Sequence, residues 1–516
     1  VPEAPTNTVR IDGQSLTLED VVAVADGQSA VELSPEAFGR MGAAFDAAKH
    51  AAAGPDAVYG INTGFGPLKD KRIEPPETEQ LQLNLVRSHA AGVGPPFASR
   101  QVRAAMLVSA NCLAKGCSGI DPRIVQLLVQ CLNKSFHPLV PSQGSLGASG
   151  DLAPLAHVAL ALIGEGEVEW RGKARASREA MKELGLEPAK LGPKCGLALI
   201  NGTSFITGVG GLALDTGSRL AQVADVAAAM HVEASLSSVR AFDEGLMALR
   251  PHPGQAEAAA NLRRLTEGSG LVEAHKDCGE VQDAYSVRCA PQVHGATRHA
   301  LRQAREVVTT EINSATDNPL LVDGRFMSSG NFHGAPCALA LDHASLGLIE
   351  LCNISERRTE RLLNPTLSRG LPAFLAGQPG LESGLMLAHY TAAALTSENK
   401  SAAFPPSADT IPTGANQEDH VSMGLTSARR LTSICENALH VLSIEVLCAA
   451  RALRLRMTEL DRSPAKGTHA ALQAAEGVVP PQSGDRPPAP QIAAVAAMIR
   501  EGGLLREVET VIGALE

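Results

Sequence analysis

The chain has 516 residues and a net charge of −10, from 45 Lys and Arg against 55 Asp and Glu; it carries no basic cluster, so nucleic acid is not an expected partner. Hydrophobic residues make up 44% of it but aromatics only 3%, so the core should be built from Ala, Leu, Val and Ile, whose small side chains let helices approach closely. No run nears the roughly 18 uninterrupted apolar residues of a membrane span, and the ten cysteines include no C-x-x-C pair.

Cys112 and Cys117 are the closest pair of thiols, and no histidine pair completes a zinc spacing, so no metal is expected. The cysteines read as buried thiols of a reducing cytoplasm. The opening VPEAPTNTVRIDG has neither a basic nor a long apolar stretch, and so does not read as a signal peptide. TVRIDGQSLTLEDVVAVA predicts a strand, a turn at Asp12-Gly13, a second short strand and then a helix capped by Thr17, with Asp20 following. From GPLKDKRIEPPETEQ onward the pattern turns helical, punctuated by Pro and Gly. The charged stretch from Glu167 to Pro193 predicts a surface excursion with a short hairpin and a helix.

After Ile200 long helical periodicity takes over, in segments such as VGGLALDTGSRLAQVADVAAAMHVEASLSSV and SARRLTSICENALHVLSIEVLCAARALRLR. Several are apolar nearly all round, which suits the interior of a large bundle. Such helices often complete their burial against copies of the same chain, so a homo-oligomer is expected. VVPPQSGDRPPAP is a Pro-rich connection to a last helix. The expected fold class is mainly α: a mixed α/β region over 1–200, a long-helix bundle over 201–477, and the connection with its C-terminal helix over 478–516.

One stretch asks for a chemical explanation: GSLGASGDLAPLAHVAL, Gly144 to Leu160. A nucleophile elbow needs G-x-S-x-G, and Asp151 stands where the last glycine should be. A phosphate loop needs a preceding strand and a Lys-Ser/Thr, both missing. A plain structural reading is a glycine-rich turn in which Ser149 or Asp151 caps the helix that follows, with Pro154 in its first turn. A further reading is covalent. In a tight turn the Gly150 nitrogen can attack the Ala148 carbonyl carbon and close a five-membered ring. Loss of water from that ring, and of the Ser149 hydroxyl as water, leaves an exocyclic methylidene, an electrophile in a polymer that otherwise offers nucleophiles.

The run GSLGASGDLAPLAHVALALIGEGE resembles the signature of the aromatic amino acid ammonia-lyases, which form a methylidene-imidazolone (MIO) group from an internal Ala-Ser-Gly. VYGINTGFGPL, NLVRSHAAGVG, ALINGT, VQDAYSVRCAPQVHG, SATDNPL, SSGNFHG, SERR, TAAALTSENK and ANQEDHVSMG match the same family along most of the chain. The resemblance implies the helical superfold shared by ammonia-lyases and fumarases, an MIO loop at Ala148, Ser149 and Gly150, no metal or external cofactor, and a homotetramer whose active sites are shared between subunits. It also assigns residues. Tyr59 matches the base that removes the β-proton; a tyrosine pKa of about 10 leaves little phenolate at neutral pH, so the site is expected to lower it. Arg288 matches the arginine that pairs with the substrate carboxylate. Tyr285 matches a residue beside the MIO group, and Gln282 and Asn201 match polar groups of the pocket, Asn201 being expected to donate to the ring oxygen. Phe332 is expected to pack under the ring.

Ser88-His89 and Glu418 are similar to the histidine-specific members, so the implied reaction is non-oxidative deamination of L-histidine to trans-urocanate and ammonia. A carboxylate and an imidazole suit a substrate with ring nitrogens, whereas facing a bare phenyl ring Glu418 would be buried without a partner, at a cost of several kcal/mol. Two departures are expected near or beside the pocket and imply relaxed or shifted specificity: Ser204 after NGT, which is closer to the phenylalanine and tyrosine enzymes, and Phe404 in FPPSADT, which stands in a histidine's place. A phenylalanine/tyrosine lyase or a 2,3-aminomutase is the alternative of the same family. A helical oligomer that has lost the reaction is the alternative of another class.

Overall fold

The computed structural model describes residues 7–170, 172–276, 279–481 and 483–516. The first six residues of the opening stretch, and Cys278, lie outside them. The chain is mainly α-helical with small sheets of two or three short strands. It divides into two compact units: Val1–Asp215, Ala304–Asp342 and Pro405–Thr432 form the first, and Thr216–Gln303, His343–Phe404 and Ser433–Glu516 the second. Compactness thus cuts across the three consecutive segments expected from patterning. Four of the unit boundaries fall inside the long helices Ser204–Ala234, Ala290–Glu311, Ala335–Leu363 and Gly424–Leu460.

The first unit opens on β1 (Asn7–Ile11), which pairs in parallel with β2 (Ser29–Leu33) across the connecting helix α1 (Leu18–Ala25). The turn at Asp12-Gly13 forms, with the Asp12 carboxylate accepting the N–H groups of Gln14 and Ser15. The second strand of the expected hairpin does not. The Leu16 N–H goes to Asn313 Oδ1 at 2.9 Å instead of to a ladder, so β1 finds its partner beyond α1. The capping box is present: Thr17 Oγ1 accepts the Asp20 N–H while the Asp20 carboxylate accepts the Thr17 N–H, and such a cap is worth about 1 kcal/mol. The excursion after Gly164 contains the antiparallel pair Glu167–Trp170 and Lys173–Ala176 and then the helix Ser177–Leu184.

The second unit is a helix bundle held by close backbone approach and buried charge. A Cβ on Gly295 would lie 2.4 Å from Gln255 N, and one on Gly254 2.5 Å from Gly295 O, so the helices Pro253–Leu265 and Ala290–Glu311 touch through glycine. Asp225 accepts from His294 Nδ1 at 2.6 Å, from Asn261 Nδ2 at 2.8 Å and from the Arg298 guanidinium. Arg358 pairs with Glu445, both fully buried. Removing one member of such a pair strands a buried charge, at about 3–5 kcal/mol.

One helix among the described residues, Ala335–Leu363, has the length and mean hydropathy of a membrane span although Asp342 and Glu350 interrupt its apolar run. Most of its apolar window, 61%, is buried within the protein, as in a core helix. The nine described cysteines are free thiols.

Candidate active site

The glycine-rich turn is as constrained as its composition suggests. Gly147 and Gly150 have φ of +77° and +71°, in the left-handed region that glycine enters without strain. A Cβ on Gly150 would sit 2.0 Å from Gly202 O, and one on Gly147 2.2 Å from Ser422 Oγ. Backbone bridges join Gly150 to both Gly147 and Ala148, which brings the Gly150 amide back to the residue whose carbonyl it would have to attack. The Gly202 N–H donates to Ser149 O at 3.3 Å, and the Asp151 N–H to Gly202 O at 2.7 Å, so the turn is pinned on both sides. The residues present fit an MIO group.

The capping reading does not describe this turn. The helix Leu152–Leu162 that follows has no side-chain cap. Asp151 instead accepts the Ile206 N–H at 2.8 Å, in the first turn of Ser204–Ala234. Complete burial pushes the Asp151 carboxyl up to about 7, against the lowering effect of its backbone and Ser145 hydrogen bonds.

Ser149 opens onto a cavity of about 560 Å³ whose walls include Tyr59, Gly66, Ser88, His89, Leu197 and Glu418. A second, of about 420 Å³, shares Tyr59, Ser149 and Glu418 and adds Ala148, Asn318 and Phe332. Tyr59, His89, Ala148, Ser149, Phe332 and Glu418, drawn from separate stretches of the sequence, therefore meet in the first unit.

The Tyr59 hydroxyl accepts the Gly66 N–H at 3.1 Å, and the Phe65 ring meets its ring edge-on. That donor favours the phenolate, but burial and the Glu418 charge outweigh it and raise the Tyr59 pKa. This reverses the lowering expected from sequence. His89 ends the helix Thr78–His89, and its Nδ1 lies 2.9 Å from Leu85 O. An imidazole nitrogen facing a carbonyl carries the hydrogen, so Nε2 is left as an acceptor. Burial lowers the His89 pKa, although the Leu85 carbonyl and Glu418 oppose the shift. Glu418 is carried by a left-handed run, with φ of +53° at Gly414, +51° at Ala415 and +68° at Asn416. The run is closed by the Thr413 N–H on Glu418 O at 2.9 Å. A Cβ on Gly414 would lie 1.4 Å from Glu418 Oε2, so only glycine lets the carboxylate fold back there. Non-glycine residues in this region are strained, and such strain gathers at functional sites.

Asn201 is buried beside Gly202, with Nδ2 donating to Asp317 Oδ1 at 2.9 Å and to Asn318 O at 3.1 Å. Both hydrogens have acceptors, so the expected donor to a ring oxygen has an amide oxygen left to offer. Gln282, Tyr285 and Arg288 belong to the second unit and line neither cavity around Ser149. The Arg288 guanidinium stacks 4.6 Å from the Tyr285 ring centre and its Nε donates to Asp283 O. The Tyr285 ring is 71% exposed.

Neither departure from the histidine-specific pattern lines the cavities. Ser204 is buried in the first turn of its helix, and Phe404 belongs to the second unit and is 73% exposed. Sequence reading missed Lys194, Asp317 and the structural use of Asp151. Each acts on a partner 55 to 123 residues away, so no local spacing could signal it.

The aromatic amino acid lyase family model matches residues 16–476. A histidine ammonia-lyase from Gloeobacter violaceus is 49% identical over 513 residues, covering 99% of both chains. Among solved structures, a histidine ammonia-lyase from Trypanosoma cruzi is similar at a TM-score of 0.90 and 41% identity, covering 98% of this chain and 96% of that one. A tyrosine aminomutase from Streptomyces globisporus is similar at a TM-score of 0.93 and 38% identity, covering 99% of this chain and 100% of that one.

Proposed function

The chain belongs to the aromatic amino acid lyase family, and on that premise we propose that it deaminates L-histidine to trans-urocanate and ammonia with an MIO group made from Ala148, Ser149 and Gly150. The observation that carries this reading is the meeting of Glu418 and His89 with Tyr59 at the mouth of the Ser149 turn. When formed, the MIO group supplies the electrophile that makes the substrate amine a leaving group.

The chain's own residues supply the rest. The Glu418 carboxylate is an acceptor matched to the ring N–H of an imidazole, and with His89 on the same wall it orients the β-carbon toward Tyr59. Tyr59, as phenolate, takes the β-proton. Arg288 grips the carboxylate through its planar fork, with Gln282 and Tyr285 beside it. These three reach a cavity of another copy in a homotetramer with shared sites. Exposure in one chain supports this: Tyr285 is 71% exposed and Gln282 is exposed, with Arg288 half-buried beside them. The free thiols suit a cytoplasmic setting.

The raised Tyr59 pKa fixes a pH dependence. Phenolate forms as pH rises through that pKa, so kcat/KM for histidine should climb through the neutral and alkaline range without a plateau below about pH 10. A pH–rate profile that levels off near neutrality would mean that another group is the base.

Ammonia release from L-histidine, L-phenylalanine and L-tyrosine in parallel tests the substrate. Histidine is expected to be favoured over phenylalanine by roughly 10⁴-fold, the discrimination available to a site built to hydrogen-bond a polar ring. Preferred turnover of tyrosine, or a β-amino acid as product, would favour the alternative to which the aminomutase likeness points.

A further inference from the structure

Behind Asn201 lies an ion pair that the reaction as described does not use. Lys194 is fully buried, and its Nζ donates to Asp317 Oδ2 at 2.7 Å. The other carboxylate oxygen, Asp317 Oδ1, accepts from Asn201 Nδ2 at 2.9 Å and from the Asn318 N–H at 2.6 Å. Lys194 is one of the few non-glycine residues at positive φ, +68°. Backbone strain of this kind persists only where the surroundings hold it, and it gathers at functional sites. The loop is also tied to the Ser149 turn: a Cβ on Gly202, whose N–H holds the Ser149 carbonyl, would lie 2.8 Å from Thr316 Oγ1.

An ammonium has only donors and an ionised carboxylate only acceptors. Lys194 therefore keeps Asp317 an acceptor on both oxygens, and Asp317, with the Asn318 carbonyl, turns both Asn201 hydrogens inward. Asn201 Oδ1 is buried and has no hydrogen-bond partner among the described residues. From this we infer that Lys194 and Asp317 are positioning residues that fix Asn201 as a hydrogen-bond acceptor for the substrate amine. The inference rests on the amino acid lyase reading above and names the polarity of one of its binding groups.

A rescue experiment follows from the same donor logic. Asp317→Asn keeps the shape, but Lys194 draws the new amide oxygen to itself and the new NH2 faces Asn201. Asn201 must then turn its oxygen inward and show the amine a donor. Adding Lys194→Met removes the pull and lets the oxygen at residue 317 return to Asn201. Binding is measured by calorimetry in the Ser149→Ala background, where nothing turns over, with L-histidine and with 3-(imidazol-4-yl)propanoate, which lacks the amine.

Asp317→Asn should weaken L-histidine roughly ten- to hundredfold, the range for a hydrogen bond to a charged group, and leave the des-amino acid within about twofold. The Lys194→Met/Asp317→Asn chain should recover most of the loss. Asn201→Ala, which leaves the ion pair intact, should show the same selective loss and serves if Asp317→Asn does not fold. Equal weakening of both ligands, or no recovery in the double variant, would overturn the inference. Should the wild type turn over another amino acid, that acid and its des-amino analogue are the pair to measure, so the substrate reading can fail without deciding the relay.

Discussion

Ser149→Ala should abolish ammonia release, by on the order of 10³-fold or more, because it removes the hydroxyl whose loss creates the electrophile. Thermal stability should be unchanged within about 0.5 kcal/mol, the usual range for a substitution that breaks no structural contact. The structure separates this from the competing reading of the serine. An N-cap serine replaced by alanine costs about 1 kcal/mol and leaves chemistry intact, but Ser149 caps nothing: the helix Leu152–Leu162 has no side-chain cap. What holds the turn is backbone, the Gly202 N–H on the Ser149 carbonyl and the Asp151 N–H on the Gly202 carbonyl, and alanine preserves both. The near-ultraviolet absorbance of the conjugated ring should disappear with the activity. An active Ser149→Ala enzyme, or one that is merely less stable, would contradict the account.

Glu418→Ala should cost histidine turnover roughly a hundredfold in kcat/KM. It deletes an acceptor of the substrate ring and leaves a ring N–H facing a cavity, and a hydrogen bond to a charged group is worth about 1.5–3 kcal/mol. Phenylalanine turnover should stay level or rise. Against a phenyl ring the carboxylate must be desolvated without compensation, and its removal relieves that cost. Loss of both activities together would mean that Glu418 serves the shared chemistry, or holds the Gly414–Asn416 turn, instead of reading the ring. Parallel kinetics on the two substrates decide between these.

The long helices beyond residue 200 were legible because helical periodicity sustained over many turns is the strongest signal a sequence carries. The 167–184 hairpin and helix were legible from their turn chemistry. The β1–β2 pair was not, since parallel pairing across a helix leaves no local mark and TVRIDGQSL imitates a hairpin. In the site, Tyr59, His89, Ser149, Phe332 and Glu418 were singled out through motif resemblance, and their convergence on two cavities that share Tyr59, Ser149 and Glu418 is the structure's contribution. The direction of the Tyr59 shift depends on how deeply the cavity walls bury the hydroxyl, which no spacing reports. Asn201 was singled out by resemblance but with the opposite polarity, and Lys194 and Asp317 were given no role; their meaning appears only when charge, donor count and burial are read together.

The most direct measurement is the mass of a peptide containing Gly144–Leu160, excised from the purified chain. Cyclisation of Ala148-Ser149-Gly150 with loss of the serine hydroxyl predicts a mass two water molecules below that of the sequence, and a full-mass peptide from the Ser149→Ala control apart from the substitution. A wild-type peptide at its full sequence mass would contradict the central claim: the turn would be a glycine-rich backbone feature only, and the electrophile on which the proposed deamination depends would not exist.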